Sequence, residues 1–170
     1  YYGFFALYMR DLDYSGQQTG IFIALGVLAE VGIFLIARRL ISQFGVWNLL
    51  FVSIALTGLR WYVMAAFADT FMVIVLSQLI HALSFGLTHA VSVHFIHQFL
   101  PKAYQSRGQA VYISIAFGLG GAFGNYMAGQ QWQQGTNAYE TFVTAAVFAA
   151  IGALSLLLCS RKEMESAKAA

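Results

Sequence analysis

The chain has 170 residues, 59% hydrophobic and 9% charged, with a formal net charge of +2. Soluble domains carry about a quarter charged residues, so this composition excludes a water-covered surface, and a mean hydropathy of +0.69 indicates a chain clothed in lipid. The single cysteine, Cys159, excludes an internal disulfide.

A membrane-spanning helix uses about 20 residues, and the apolar runs divide the chain into six. Residues 1–10 are apolar for about half a span and read as the end of a helix that begins upstream. Arg10 to Gly16 is a polar loop, and the second span, about 18–37, is interrupted by Glu30. Arg38 and Arg39 open a short loop that closes at Gly45. The third span, 46–67, contains Arg60. Ala68, Asp69 and Thr70 make a tight connection to the fourth, 71–99, which is long enough to tilt. Leu100 to Gly108 is a second polar loop with the only proline, Pro101. A fifth span covers 109–130, a sixth 141–158, and the charged tail, 160–170, is expected to fray. The fold class is therefore all-α integral membrane, with residues 1–159 as one transmembrane bundle.

Basic residues set orientation. Alternating loops put Arg38, Arg39, Lys102, Arg107, Arg161, Lys162 and Lys168 on one side. Arg10 stands on the other, with Asp11, Asp13, Asp69 and Glu140. The basic side is expected to be cytoplasmic, with the C-terminus inside, in a bacterial inner membrane.

Three ionisable residues lie deep in spans: Glu30, Arg60 and His81. A charge at the bilayer centre costs about 3 kcal/mol or more and survives facing a bundle interior or water. Counting about 1.5 Å per residue from the outer ends puts all three in one layer. An acid, a permanent cation and an imidazole together suit proton coupling; a structural ion pair locking three helices is the alternative. On the fourth span, Ser77, His81, Ser84, Thr88 and Ser92 fall on one helical stripe, with Gln78 and His89 on its margin. Such a stripe faces a cavity or other helices. His94 and His97 approach the cytoplasmic end. In the fifth span, Gly120 and Gly124 form a small-xxx-small pair that permits close helix approach. On the first helix, Tyr1, Tyr2, Phe4, Phe5 and Tyr8 form either an interfacial aromatic belt or an outer gate, with Tyr2 and Phe5 placed toward the cavity.

The order of spans and the inside charge resemble the C-terminal six helices of the major facilitator superfamily. ARRLISQFG resembles a degenerate form of the family's basic loop, keeping Arg38, Arg39 and Gly45 without the usual acid. LPKAYQSRGQA, followed by FGLGGAFGNYMAG, and YGFFALYM near the start are similar to stretches of phenylpropionate permease-like transporters. Set beside the more distant lactose permease-like transporters, Arg60 and His81 fall where those proteins carry an arginine and a histidine for proton coupling. The coupling glutamate one turn beyond the histidine is Ser84 here, and Glu30 stands about one turn from the sugar-binding acid. The resemblance implies one half of a twelve-helix fold, completed by an N-terminal six-helix half outside this sequence. It also implies alternating access around a midplane site.

The expected function is proton-coupled symport of a small organic solute such as an aromatic carboxylate, with Glu30 carrying the proton. A uniporter or antiporter of a sugar or nucleoside is the alternative, and a receptor or a metalloenzyme using His94 and His97 is a more remote one. No cofactor, metal or nucleic-acid partner is expected.

Overall fold

The computed structural model describes residues 2–166, the side chain of Tyr2 excepted. Lys168 and Tyr1 lie outside the described residues. Helix α1 (Tyr2–Asp11) ends where Asp13 turns left-handed, at φ 64°. Ser15 then starts α2 (Gly16–Phe44) with a capping box: the Gln18 amide donates to Ser15 Oγ at 3.2 Å and the Ser15 amide to Gln18 Oε1 at 2.9 Å. Such reciprocal bonds satisfy two amides that have no partner inside the helix.

The loop expected at Arg38 and Arg39 is absent. α2 continues through both arginines to Phe44, because nothing in ARRLISQF breaks a helix, and only Gly45, at φ 79°, turns the chain into α3 (Val46–Phe67). Glycine takes that backbone conformation without the penalty a β-carbon brings.

Helix α4 (Phe71–Phe99) is continuous but carries a π-helical turn at Ala82–Gly86. After Pro101, a rod over residues 105–132, here α5, joins Gln105–Ile113, a second π segment at Ser114–Leu119, and Gly120–Trp132. Arg107, expected in a loop, therefore sits in its first turns. Positive φ at Gln133, Gln134 and Gly135 closes the rod and leads to α6 (Ala138–Leu156). The tail does not fray along its whole length: Arg161–Ser166 forms α7.

Four of these helices, α2, α3, α4 and α6, are long and apolar enough to cross a membrane. α1 is too short within the described residues, and the glycines and glutamines of α5 dilute its apolar content. α3 and α6 form the tightest helix pair. At Gly58 a β-carbon would lie 3.2 Å from the Ala146 carbonyl oxygen. Two buried clusters hold the end rich in acidic residues: Phe5, Met9, Phe22, Met64 and Ile74 form one, and Trp132, Ala138 and Phe142 anchor the other. A third, of Val46, Leu49, Leu50, Leu87 and Val91, holds the basic end, where Met164 of α7 packs against it. The outer surface is apolar, with Leu35 81% and Leu119 71% exposed, as lipid contact requires.

Among the described residues, the glycine pair of α5 does not bring helices together. β-Carbons at Gly118, Gly121 and Gly124 would meet nothing within 4 Å, and at Gly120 only the rod's own Ile115 carbonyl, at 3.4 Å.

Candidate functional site

The site starts at the α2–α4 crossing. Gly26 of α2 faces Gln78 and His81: a β-carbon there would lie 3.3 Å from Gln78 Oε1 and 3.6 Å from His81 Cδ2. Gly86 of α4 faces Glu30, whose Cγ would be 3.2 Å away. Each helix thus offers a hydrogen where the other places its ionisable side chain, and this lets the backbones approach. The outcome is a contact of 3.1 Å between His81 Nε2 and Glu30 Oε1, with both side chains nearly buried. Arg60, from α3, is buried as well and lies within electrostatic range of both. Its guanidinium carbon sits 4.2 Å from the centre of the Trp61 ring. A planar cation over an indole is favoured where water is scarce. The three ionisable residues expected in one layer are therefore brought together.

Below them, the π turn of α4 carries Ser84 and Phe85, and the π segment of α5 carries Phe117. The His81 ring stacks on Phe85 at 5.2 Å, and Phe85 meets Phe117 edge to face at 5.7 Å. The two irregular segments therefore touch through aromatic rings. π-Bulges inside α-helices occur frequently at functional sites. Between α3, α4, α5 and α6 opens a groove of about 600 Å³, walled by Arg60, Trp61, His81, Phe85 and Phe117, among others. That volume falls within the range of small-molecule sites, about 300–1,000 Å³. Glu30 does not line it; it stands behind His81.

The other expected residues divide. Ser84, Thr88 and His89 line the groove, as does Ser92. The Thr88 hydroxyl lies 2.8 Å from Ser53 Oγ and 2.5 Å from the Ser84 carbonyl oxygen, tying α4 to α3. Ser77 does not reach the groove. Its hydroxyl donates to the Ile74 carbonyl at 2.9 Å and accepts from Gln78 Nε2 at 3.2 Å. Ser77 lies one turn beyond His81 in the same regular stretch of α4, past the end of the groove. Phe5, expected at the cavity, is fully buried in the cluster with Met9 and Phe22. Tyr2's side chain lies outside the described residues. Arg38 and Arg39, in the last two turns of α2, do not line the groove, and Arg107 sits 5.9 Å from the centre of the Tyr104 ring. His94 and His97 lie further along α4. Among the described residues, no three His, Cys, Asp or Glu side chains gather as a metal site would need.

Sequence reasoning missed Gly26, Gly86, Ser53 and Tyr112. The first two stand four residues from Glu30 and five from His81. A small residue about one turn from a buried ionisable group marks a close helix crossing and is the signal that locates both. Tyr112, from α5, lines the groove near His89, its hydroxyl 3.4 Å from His89 Nδ1.

The family model described as MFS_1 like family matches residues 1–144. Among curated proteins, the chain is similar to a probable 3-phenylpropionic acid transporter of Escherichia coli (strain K12), at 32% identity over 137 residues, which is 78% of this chain and 35% of that protein. It is also similar to a maltose permease of Geobacillus stearothermophilus, at 27% identity over 165 residues, which is 94% of this chain and 40% of that protein. The chain spans well under half the length of these two relatives. No solved structure matches it.

Proposed function

Because the chain belongs to the MFS_1 like family of the major facilitator superfamily, we propose that residues 1–159 are the C-terminal six-helix half of a proton-coupled symporter for a small organic solute, best an aromatic carboxylate. The observation that carries this reading is the buried Glu30–His81 contact beside Arg60 on the wall of the groove. Buried ionisable groups in a membrane are expensive and mark ion pathways. Glu30 carries the proton, and His81 relays it to the groove. Arg60 offers a charge-assisted hydrogen bond to a carboxylate. Phe85, Phe117 and Trp61 supply faces for a ring.

The bare glycine face of α5 supports a further six-helix half. Small residues with nothing against them suit the close approach of another helix. The solute then binds between the halves and is exposed alternately to each side. The excess of basic residues at one end supports a cytoplasmic C-terminus in a bacterial inner membrane. The maltose permease relative favours a second reading, in which the hydroxyl groups of Ser84, Thr88 and Ser92 bind a sugar.

The test is to express the full-length protein in de-energised cells and follow external pH as 3-phenylpropionate is added. Alkalinisation that disappears in Glu30→Gln and His81→Ala, at equal expression, supports the proposal. Counterflow of labelled solute without a pH change makes the protein a uniporter. Uptake of labelled maltose with no response to carboxylates favours the sugar.

A further inference from the structure

The groove has a second polar pole that the coupling residues do not use. His89 lies eight residues beyond His81 on α4, roughly 12 Å along the axis at about 1.5 Å per residue, and it lines the same groove. Facing it from α5 is Tyr112, with Ser92 beside its hydroxyl. The rings of His89 and Tyr112 are 5.8 Å apart, and both lie against Phe117, at 5.8 Å each. Aromatic walls therefore run from the Arg60 end of the groove to this pole.

The contact at the pole is loose. Tyr112 Oη and His89 Nδ1 are 3.4 Å apart, well beyond the 2.5–3.2 Å or so of a good hydrogen bond. The phenol can donate and accept, and a neutral imidazole can do either according to its tautomer. A third hydroxyl placed to one side of the pair, about 2.8 Å from each, would bond both at normal length. The pole is also half-buried, and the Tyr112 hydroxyl, which bonds Ser92 as well, can both donate and accept and so keeps capacity for a further partner.

Resting on the reading of Arg60 as the carboxylate end, we infer that His89 and Tyr112 form a distal subsite for a hydroxyl on the solute. The preferred substrate class is then an aryl alkanoate whose ring carries a hydroxyl remote from the acid arm. The carboxylate lies at Arg60, the ring against the groove faces of Phe85 and Phe117, and the ring hydroxyl beside Tyr112 and His89. Unsubstituted rings enter but forgo this bond.

The test is competition in cells expressing the full-length protein, with labelled 3-phenylpropionate as tracer and 3-phenylpropionate or 3-(4-hydroxyphenyl)propionate as competitor. The inference predicts that the hydroxylated acid competes roughly five- to tenfold better, the worth of one net hydrogen bond. In Tyr112→Phe, which keeps the ring and its packing, the ratio of the two should fall toward one whatever the absolute uptake. Tyr139→Phe, remote from the groove, should keep the wild-type ratio. A wild-type ratio near one overturns the subsite while leaving the carboxylate reading standing. A ratio that survives Tyr112→Phe overturns it too. Failure to take up either acid overturns both.

Discussion

Glu165 of α7 reaches across the basic end of the bundle and caps a helix 119 residues away in sequence. Its carboxylate accepts from the Val46 amide at 3.1 Å and the Trp47 amide at 2.9 Å. Those are the first two amides of α3, whose own cap residue, Gly45, has no side chain to offer. A β-carbon at Gly45 would fall on the carboxylate itself, 2.5 Å from Oε1, so that glycine also makes room for the acid. Replacing Glu165 by Ala leaves both amides to water. Loss of an N-cap costs about 0.5–2 kcal/mol. Loss of a carboxylate from a helix N-terminus at a surface costs about 0.3–1 kcal/mol. The two overlap, so about 1–2 kcal/mol is expected, a factor of roughly 5–30 in the docking equilibrium of α7. Arg161 over Trp47, at 5.7 Å, and Met164 in the apolar cluster would still hold the helix part of the time. Limited trypsinolysis of the full-length protein in detergent reads this directly. When opening is fast, cleavage after Arg161 and Lys162 tracks the undocked population. Glu165→Ala should raise its rate about five- to thirtyfold, and Glu165→Gln, with one neutral acceptor, by less. Rates for Glu165→Ala within twofold of wild type would refute the cap.

Gly86→Ala puts a methyl 3.2 Å from Glu30 Cγ, whereas Gly26→Ala meets the flexible end of Gln78 at 3.3 Å. Solute-driven proton uptake, measured at matched expression, should therefore fall severely in the first and mildly in the second. Gly58→Ala brings a methyl against the backbone oxygen of Ala146, which cannot give way as a side chain can. Overpacking of about 1–3 kcal/mol is expected, and a lower melting temperature in detergent would register it. Gly152→Ala meets only Ile54 Cγ2 at 3.6 Å, an ordinary contact, and should melt close to wild type.

The helical rods were legible because lipid imposes length and apolarity on them, and counting residues along the rods was enough to bring Glu30, Arg60 and His81 to one level of the bundle. What depended on contact between rods was not legible. The sequence ARRLISQFG contains arginines that read as a loop by charge, yet arginine is a good helix former, and the helix stops only where glycine allows a positive φ. Of the polar stripe of α4, Ser84 and Thr88 line the groove and Ser77 does not, because the groove ends at His81 and Ser77 stands one turn beyond it, among packed side chains. Phe5 carried the same aromatic character as its neighbours, and only packing against Met9 and Phe22 made it core. The cap by Glu165 joins residues too distant in sequence for any local pattern to reveal.

The two π turns have a consequence for how the groove tolerates changes in chain length. A π turn is one residue inserted into an α-helix, so deleting one residue from 82–86 would regularise α4 rather than break it. Because the π turn already absorbs the extra residue, the segment below would keep its place, with Thr88, His89 and Ser92 still on the groove and His81 still beside Glu30. The end of the groove at His89 and the end at the buried charges thus keep their relative register across a residue that the fold can lose, whereas a deletion in the regular turns of 87–92 would have no bulge to absorb it.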